Sequence, residues 1–193
     1  MAVMTTAAAS SERIQVPTAG RYRIDPEQST VTFATRHLFG LAPVRGTFEL
    51  RDGLIVVAEQ VTNSTVWARV SASSFRTGND ARDSTVLSKR LLDADTHHSF
   101  TFSSTALVQE QGEWLLRGEL EVRGVTQLAE ARIGSLTVDD AGARLRATAQ
   151  VAIDRYAFGI TAYRGLAARK LTIELDVTAH RATDRRNTGR ESA

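Results

Sequence analysis

The sequence predicts an all-β domain: an eight-stranded antiparallel up-and-down barrel with one short helix in a crossover. Three observations carry this. Apolar and polar residues alternate with a period of two through most of the chain from Arg21 onward. Turn-forming residues, Gln111-Gly112 and the Asp139-Asp140-Ala141-Gly142 cluster among them, separate alternating segments at hairpin spacing. One segment, Asp80 to Leu91, abandons alternation and places Val86, Leu87 and Leu91 at helical spacing. Strands of this kind need a closed sheet, because open edges invite pairing with other chains. A barrel closes them, and a two-sheet sandwich is the competing arrangement.

Residues 1–19 read as a loose leader rich in Ala, Ser and Thr, residues 20–182 as the barrel domain, and residues 183–193 as a flexible basic tail. Val31, Phe33 and Thr35 alternate with Thr32 and Ala34. Val44, Gly46, Phe48 and Leu50 share a face against Arg45, Thr47 and Glu49, and Asp52-Gly53 is expected to turn the chain before Leu54 to Val57. Val66, Ala68, Val70 and Ala72 lie opposite Trp67 and Arg69. Phe100, Phe102, Ser104 and Ala106 form one face of the next strand. Trp114, Leu116, Gly118, Leu120 and Val122 oppose Arg117, Glu119 and Glu121, and Ala129, Ala131 and Ile133 oppose Glu130 and Arg132. Ala143, Leu145, Ala147, Ala149, Val151 and Ile153 oppose Arg144, Arg146 and Gln150. Leu171, Ile173, Leu175, Val177 and Ala179 oppose Lys170, Glu174 and Asp176. Each segment reads as a half-buried strand, apolar inward and charged outward. In the helical segment Asp80 is expected as N-cap, with Asp83 as its acidic partner three residues on.

The inward faces are short of bulk. Gly46, Ala68, Ala72, Ser104, Ala106, Gly118, Ala131, Ala143, Ala147 and Ala149 all fall on them. A protein interior packs to crystal-like density, and a barrel of eight strands is just wide enough to be filled by large side chains or, with trimmed ones, to hold one ligand. The residues expected to line the cavity and bind a ligand there are Phe33, His37, Phe48, Ala68, Val70, Phe100, Phe102, Leu116, Leu120, Leu145, Ala147, Ala149, Phe158 and Ile173. The competing reading is that small residues mark the close approach of two sheets or of the helix. The stretch Asp154 to Leu166, which holds Tyr156, Phe158 and Tyr163 together with Gly159 and Gly165, is expected either to cover the mouth as a flexible lid or simply to be a loop anchored by its aromatics.

Composition removes several classes of function. Of 24 basic and 22 acidic residues, the last thirteen carry four and two, which leaves a neutral body of 20 and 20. That is no footprint for nucleic acid. There is no cysteine, hence no disulfide framework. No basic n-region precedes an apolar run at the start, and no stretch approaches the roughly 18–20 apolar residues of a membrane span. The expectation is a soluble cytoplasmic protein without stable membrane insertion, compatible with a homodimer. Adjacent His97 and His98 would point to opposite faces of a strand, so no metal is expected, and no cofactor motif is present. A nucleophile elbow and a phosphate-binding glycine loop are both missing.

Six segments in order, YRIDPEQSTVTFATRHLFG, VRGTF, FRTGNDARD, HSFTFSST, GELEVRGVTQ and DRYAFGI, resemble the YceI-like family of polyisoprenoid-binding, lipocalin-like barrels, over Tyr22 to about Ala182. The resemblance implies an extended barrel with a tunnel for an isoprenoid chain or similar amphiphile, without established catalysis. His37 falls on the family's histidine, and Arg82 and Asp83 on its Arg-Asp pair. Thr85 stands where the family often has histidine, and the secretion signal of many members is missing. For His37 two roles stay open, a hydrogen bond to a ligand headgroup or one to rim backbone. For Arg82 and Asp83 a structural role is expected. The functional expectation is binding, sequestration or transport of an isoprenoid or similar long-chain amphiphile. The alternative is an enzyme acting on such a lipid with His37 as acid or base.

Overall fold

The computed structural model describes residues 14–37, 42–139 and 141–182. Its strands are β1 (Gly20–Ile24), β2 (Thr30–His37), β3 (Ala42–Phe48), β4 (Leu50–Val57), β5 (Thr65–Ser71), β6 (Ser99–Glu110), β7 (Glu113–Val122), β8 (Val125–Val138), β9 (Arg144–Asp154) and β10 (Lys170–Arg181), with helix α1 (Asp80–Leu87) between β5 and β6. They form one antiparallel sheet in the order β1-β4-β5-β6-β7-β8-β9-β10-β2-β3, and β1 closes it by pairing with β10. β1 and β2 both lie along β10, while β4 and β3 lie along β1 and β2, so each pair is one barrel strand broken in the middle. The result is the expected closed eight-stranded up-and-down barrel, and the sandwich is ruled out.

The break between β1 and β2 has a local cause. Pro26 cannot donate to a ladder, and the Asp25 carboxylate accepts from the Glu27 and Gln28 amides at 3.0 and 3.3 Å, turning the chain outward. The Ser29 hydroxyl bridges the gap, accepting from the Thr178 amide at 3.1 Å. Gln111-Gly112 and Arg123-Gly124 both have positive φ at the two central residues (51°, 85° and 54°, 71°), the conformation of the tightest hairpins. The second hairpin was not singled out in the sequence.

Three expectations are corrected. Asp52-Gly53 is no turn: both lie inside β4, where the register shifts between Leu50 and Asp52. The helix is capped one residue earlier than expected, by the Asn79 side chain accepting from the Arg82 amide at 2.9 Å. Ala106 is not on the inward face, because a bulge between Ser104 and Ala106 swaps the parity of β6 and sends Leu107 inward. Part of the stretch expected as a leader is bonded to the barrel. Ile14 bridges Leu136, and the Gln15 amide donates to the Leu136 carbonyl at 2.8 Å.

Gly46 and Gly118 make room for neighbours rather than for a ligand. A Cβ on Gly46 would meet the Phe33 ring at 2.5 Å and the Arg76 carbonyl, and one on Gly118 would meet the Phe102 ring at 2.6 Å. We expect Gly46→Ala to cost about 1–3 kcal/mol, the usual penalty for overpacking. Chemical denaturation checks this, and an unchanged midpoint would contradict it.

Two apolar clusters mark the barrel's ends. Tyr22, Ile24, Val57, Leu145 and Ala179 close the lower end. The Tyr22 hydroxyl there donates to the Thr18 carbonyl at 2.9 Å. Phe33, Val44, Phe75, Leu91, Leu92, Phe158 and Ile160 gather at the upper end. There the α1 crossover, the Arg123-Gly124 hairpin and the β9–β10 connection meet: Arg123 donates to the Lys89 carbonyl at 3.4 Å, and Gln127 to the Ala157 carbonyl at 3.0 Å.

Candidate functional site

A cavity of about 830 Å³ runs through the barrel, from Val61 and Ser64 at the lower end to α1 and the β9–β10 connection at the upper. On β9 its wall is Leu145, Ala147, Ala149, Val151 and Ile153. At about 3.3 Å per residue and a strand tilt near 40°, that run makes the space roughly 20 Å deep. Alanines at 68, 129, 131, 147 and 149 hold it open. Phe33 and Phe75 stack at 5.0 Å, and Phe48 meets Phe75 and Phe100 edge-on at 5.3 and 5.5 Å, giving the upper half an aromatic wall.

A space of this size is far beyond the small voids that ordinary close packing leaves, and its walls offer water few partners.

Of the residues expected to line the cavity, Phe33, Phe48, Ala68, Val70, Phe100, Phe102, Leu116, Leu120, Leu145, Ala147, Ala149, Phe158 and Ile173 do so. The exception is His37, whose side chain lies outside the described residues, and its expected role with it; only its backbone pairing with Ala42 is described. Among the small residues, Gly46, Ala72, Ser104, Gly118 and Ala143 are not part of the wall. Ser104 instead accepts a hydrogen bond from the Val66 amide at 2.7 Å. The sequence reading missed Leu107 and Leu136, which lie beyond bulges in β6 and β8, and Phe75, Leu91 and Leu92, which lie in the α1 crossover.

The β9–β10 connection covers the upper mouth. Arg155 to Phe158 make one 3-10 turn, ended by Gly159 in the left-handed region (φ 73°), and Phe158 and Ile160 are buried against the upper cluster. A residue the sequence reading passed over holds it shut. The buried Arg155 guanidinium donates to the carbonyls of Ile160 (2.7 Å), Ala162 (2.8 Å), Ala167 (3.0 Å) and Ala168 (2.9 Å). Tyr156 lies with its ring under three guanidiniums, those of Arg155, Arg164 and Arg169, at 4.9 to 5.3 Å. Tyr163 and Leu166 line the cavity while remaining 36% and 44% exposed, so they form the lip.

Asp83 anchors the other side of the mouth. It is buried, and its carboxylate accepts from the Thr77 amide at 3.1 and 3.0 Å and from the Thr77 hydroxyl. Arg82 donates from Nε to the same hydroxyl at 2.7 Å. Burial works to raise the Asp83 pKa, but the Thr77 hydrogen bonds and the charges of Arg82 and Arg76 outweigh it, holding the carboxyl below its ordinary value. A depressed carboxyl stabilises the fold above the unfolded pKa, and that contribution is lost as pH falls through the folded one. We therefore expect the α1 crossover to loosen in acid below about pH 4. Asp83→Asn, which replaces the second accepting oxygen with an NH2 donor and removes the charge beside Arg82 and Arg76, should cost about 1–3 kcal/mol at neutral pH and flatten the acid limb. Thermal melts of both proteins from pH 7 to pH 3 decide it, and parallel acid limbs would contradict it.

Among the described residues no cluster of His, Asp or Glu is placed to hold a metal ion. His98 bonds the Ala94 carbonyl at 3.1 Å, and His97 lies beside Gly124. No described helix is long and apolar enough to cross a membrane.

A closed antiparallel barrel with an apolar cavity along its axis and a capped mouth defines a lipocalin-like protein. This chain belongs to the YceI family: the family's YceI-like domain model matches residues 22–179. Among solved structures the chain is similar to Burkholderia cenocepacia BcnA (TM-score 0.72, 19% identity, covering 83% of this chain and 99% of that one). It is also similar to a polyisoprenoid binding domain from Saccharophagus degradans implicated in plant cell wall breakdown (TM-score 0.63, 13% identity, 86% and 100%). A third is the Campylobacter jejuni YCEI protein (TM-score 0.55, 18% identity, 72% and 86%). No curated protein sequence matches the chain.

Proposed function

We propose that this barrel binds a long isoprenoid chain or similar amphiphile, and carries or sequesters it as a binding protein rather than as an enzyme. The observation that carries the reading is the cavity of about 830 Å³, apolar for nearly its whole length, with Arg82 and Arg155 as its charged lining residues among those described. That volume falls in the upper part of the range for small-molecule sites, about 300–1,000 Å³, and its depth suits a chain better than a compact ring. The likeness to the polyisoprenoid binding domain from Saccharophagus degradans points the same way. The wall residues from Phe33 to Ile173 then contact the tail, and the lip at Tyr163 and Leu166 is where it passes.

Native mass spectrometry of freshly purified protein, with organic extraction of the same sample, tests this. A bound species of long-chain mass supports the reading. An unoccupied protein that also gives no fluorescence gain with the neutral apolar dye Nile red would overturn it.

A further inference from the structure

The charged groups that reach the cavity are all of one sign. Among the described lining residues there is no aspartate, glutamate, lysine or histidine; the only ionised side chains are Arg82, from α1, and Arg155, from the β9–β10 connection. Both belong to the upper mouth, where Val86 and Leu87 of α1 pack with Phe158 and Ile160 in one cluster. Two threonine hydroxyls nearby are already committed, Thr35 donating to the Lys170 carbonyl at 3.3 Å and Thr85 to the Ala81 carbonyl at 2.8 Å.

Neither arginine is paired with a described carboxylate. Asp83, next to Arg82, is satisfied by Thr77. Asp154, next to Arg155, is taken by Arg169 at 2.6 Å and by the Tyr156 amide at 3.0 Å. Arg155 has carbonyl partners for four of its five N–H groups. Carbonyls satisfy its hydrogen bonds, the neighbouring Asp154 carboxylate is shared with Arg169, and burial pushes this guanidinium below its ordinary pKa. Arg164 and Arg169 add positive charge around Tyr156, and the connection from Arg155 to Arg169 contains no acid. A low-dielectric mouth lined by one sign of charge focuses its field on whatever enters.

We propose that the ligand is an anionic amphiphile, a long chain ending in an oxyacid group, held tail-down with its headgroup at the end lined by Arg82 and Arg155. This rests on the proposed binding of an amphiphile and narrows it to one class. A carboxylate and a phosphate share the chemistry, since a guanidinium fork accepts either. A neutral prenol or quinone would give neither arginine an ion-pair partner, and a cationic amphiphile would be repelled.

The test is displacement of Nile red by chain-matched pairs: hexadecanoate against hexadecanol, and farnesyl phosphate against farnesol. The anionic member of at least one pair is expected to bind about 10- to 100-fold more tightly, the factor for a hydrogen bond to a charged group. The pair that shows the gap identifies the headgroup as carboxylate or phosphate. Arg82→Gln, which keeps a donor for Thr77, is expected to weaken the acid more than the alcohol and so shrink the gap, while Arg82→Lys retains most of it. Alcohols binding as tightly as their acids, or a gap untouched by Arg82→Gln, would overturn the anionic class while leaving the amphiphile reading intact. Binding of none of the four, with no Nile red uptake, would remove both.

Discussion

Replacing Ala149 by phenylalanine is expected to abolish uptake of a long-chain ligand without lowering the melting temperature. Ala149 sits in the middle of β9, paired with Ile133 on one side and Leu175 on the other, and its side chain faces the cavity. In a filled core the added ring would cost about 1–3 kcal/mol or more through strain. In a void it displaces no protein atoms, and burying a phenylalanine returns about 1.5–3 kcal/mol. The two cases differ in sign, which makes stability the decisive reading. Ala147→Phe should behave alike, since it lines the same wall one pleat lower. Ala72→Phe supplies the contrast, because Ala72 is fully buried and outside the cavity wall, so overpacking there should destabilise strongly. If Ala149→Phe and Ala72→Phe lose stability equally, the interior around Ala149 is packed and the cavity does not exist in solution.

The barrel was legible because its information is local and repeated. Every long strand states its own parity, and strands such as β9, with apolar residues from Leu145 to Ile153 against Arg144, Arg146 and Gln150, need no context to be read. What escaped was information carried by partners. A bulge such as the one between Ser104 and Ala106 leaves no mark in hydrophobic alternation, since Ala106 and Leu107 are both apolar. Leu107 was lost for that reason, and Leu136 lies beyond a similar shift between Ile133 and Ser135. Glycine was ambiguous in the same way. At Gly46 and Gly118 an absent side chain meant room for the Phe33 and Phe102 rings, whereas at Ala147 and Ala149 trimming meant open space. Only the position of an aromatic on the neighbouring strand distinguishes the two. The mouth was the least legible part. Arg155 looks like any strand-end arginine until the loop that follows folds back over it.

Arg155→Met carries the largest stability change expected of any single substitution in the mouth. The side chain keeps similar length and loses every donor, leaving the carbonyls of Ile160, Ala162, Ala167 and Ala168 without their partner. Each buried carbonyl left unsatisfied costs about 1–3 kcal/mol, and four lose their partner at once. Relief from desolvating the guanidinium works in the opposite direction, and is outweighed because the orphaned carbonyls stay buried for as long as the connection stays shut. The connection has an escape that the barrel strands lack: it can open and let those carbonyls meet water. The loss should therefore appear first as local opening, seen as faster amide hydrogen exchange across Tyr156 to Ala168, with β6 to β8 protected as in the wild type. Ligand release should quicken in step, because Phe158, Tyr163 and Leu166 leave the cavity mouth together. Arg155→Lys, with three donors and no planar fork, should fall between. Unchanged exchange in Tyr156 to Ala168 with an unchanged release rate would mean that Phe158 and Ile160, buried in the upper cluster, hold the mouth shut without Arg155.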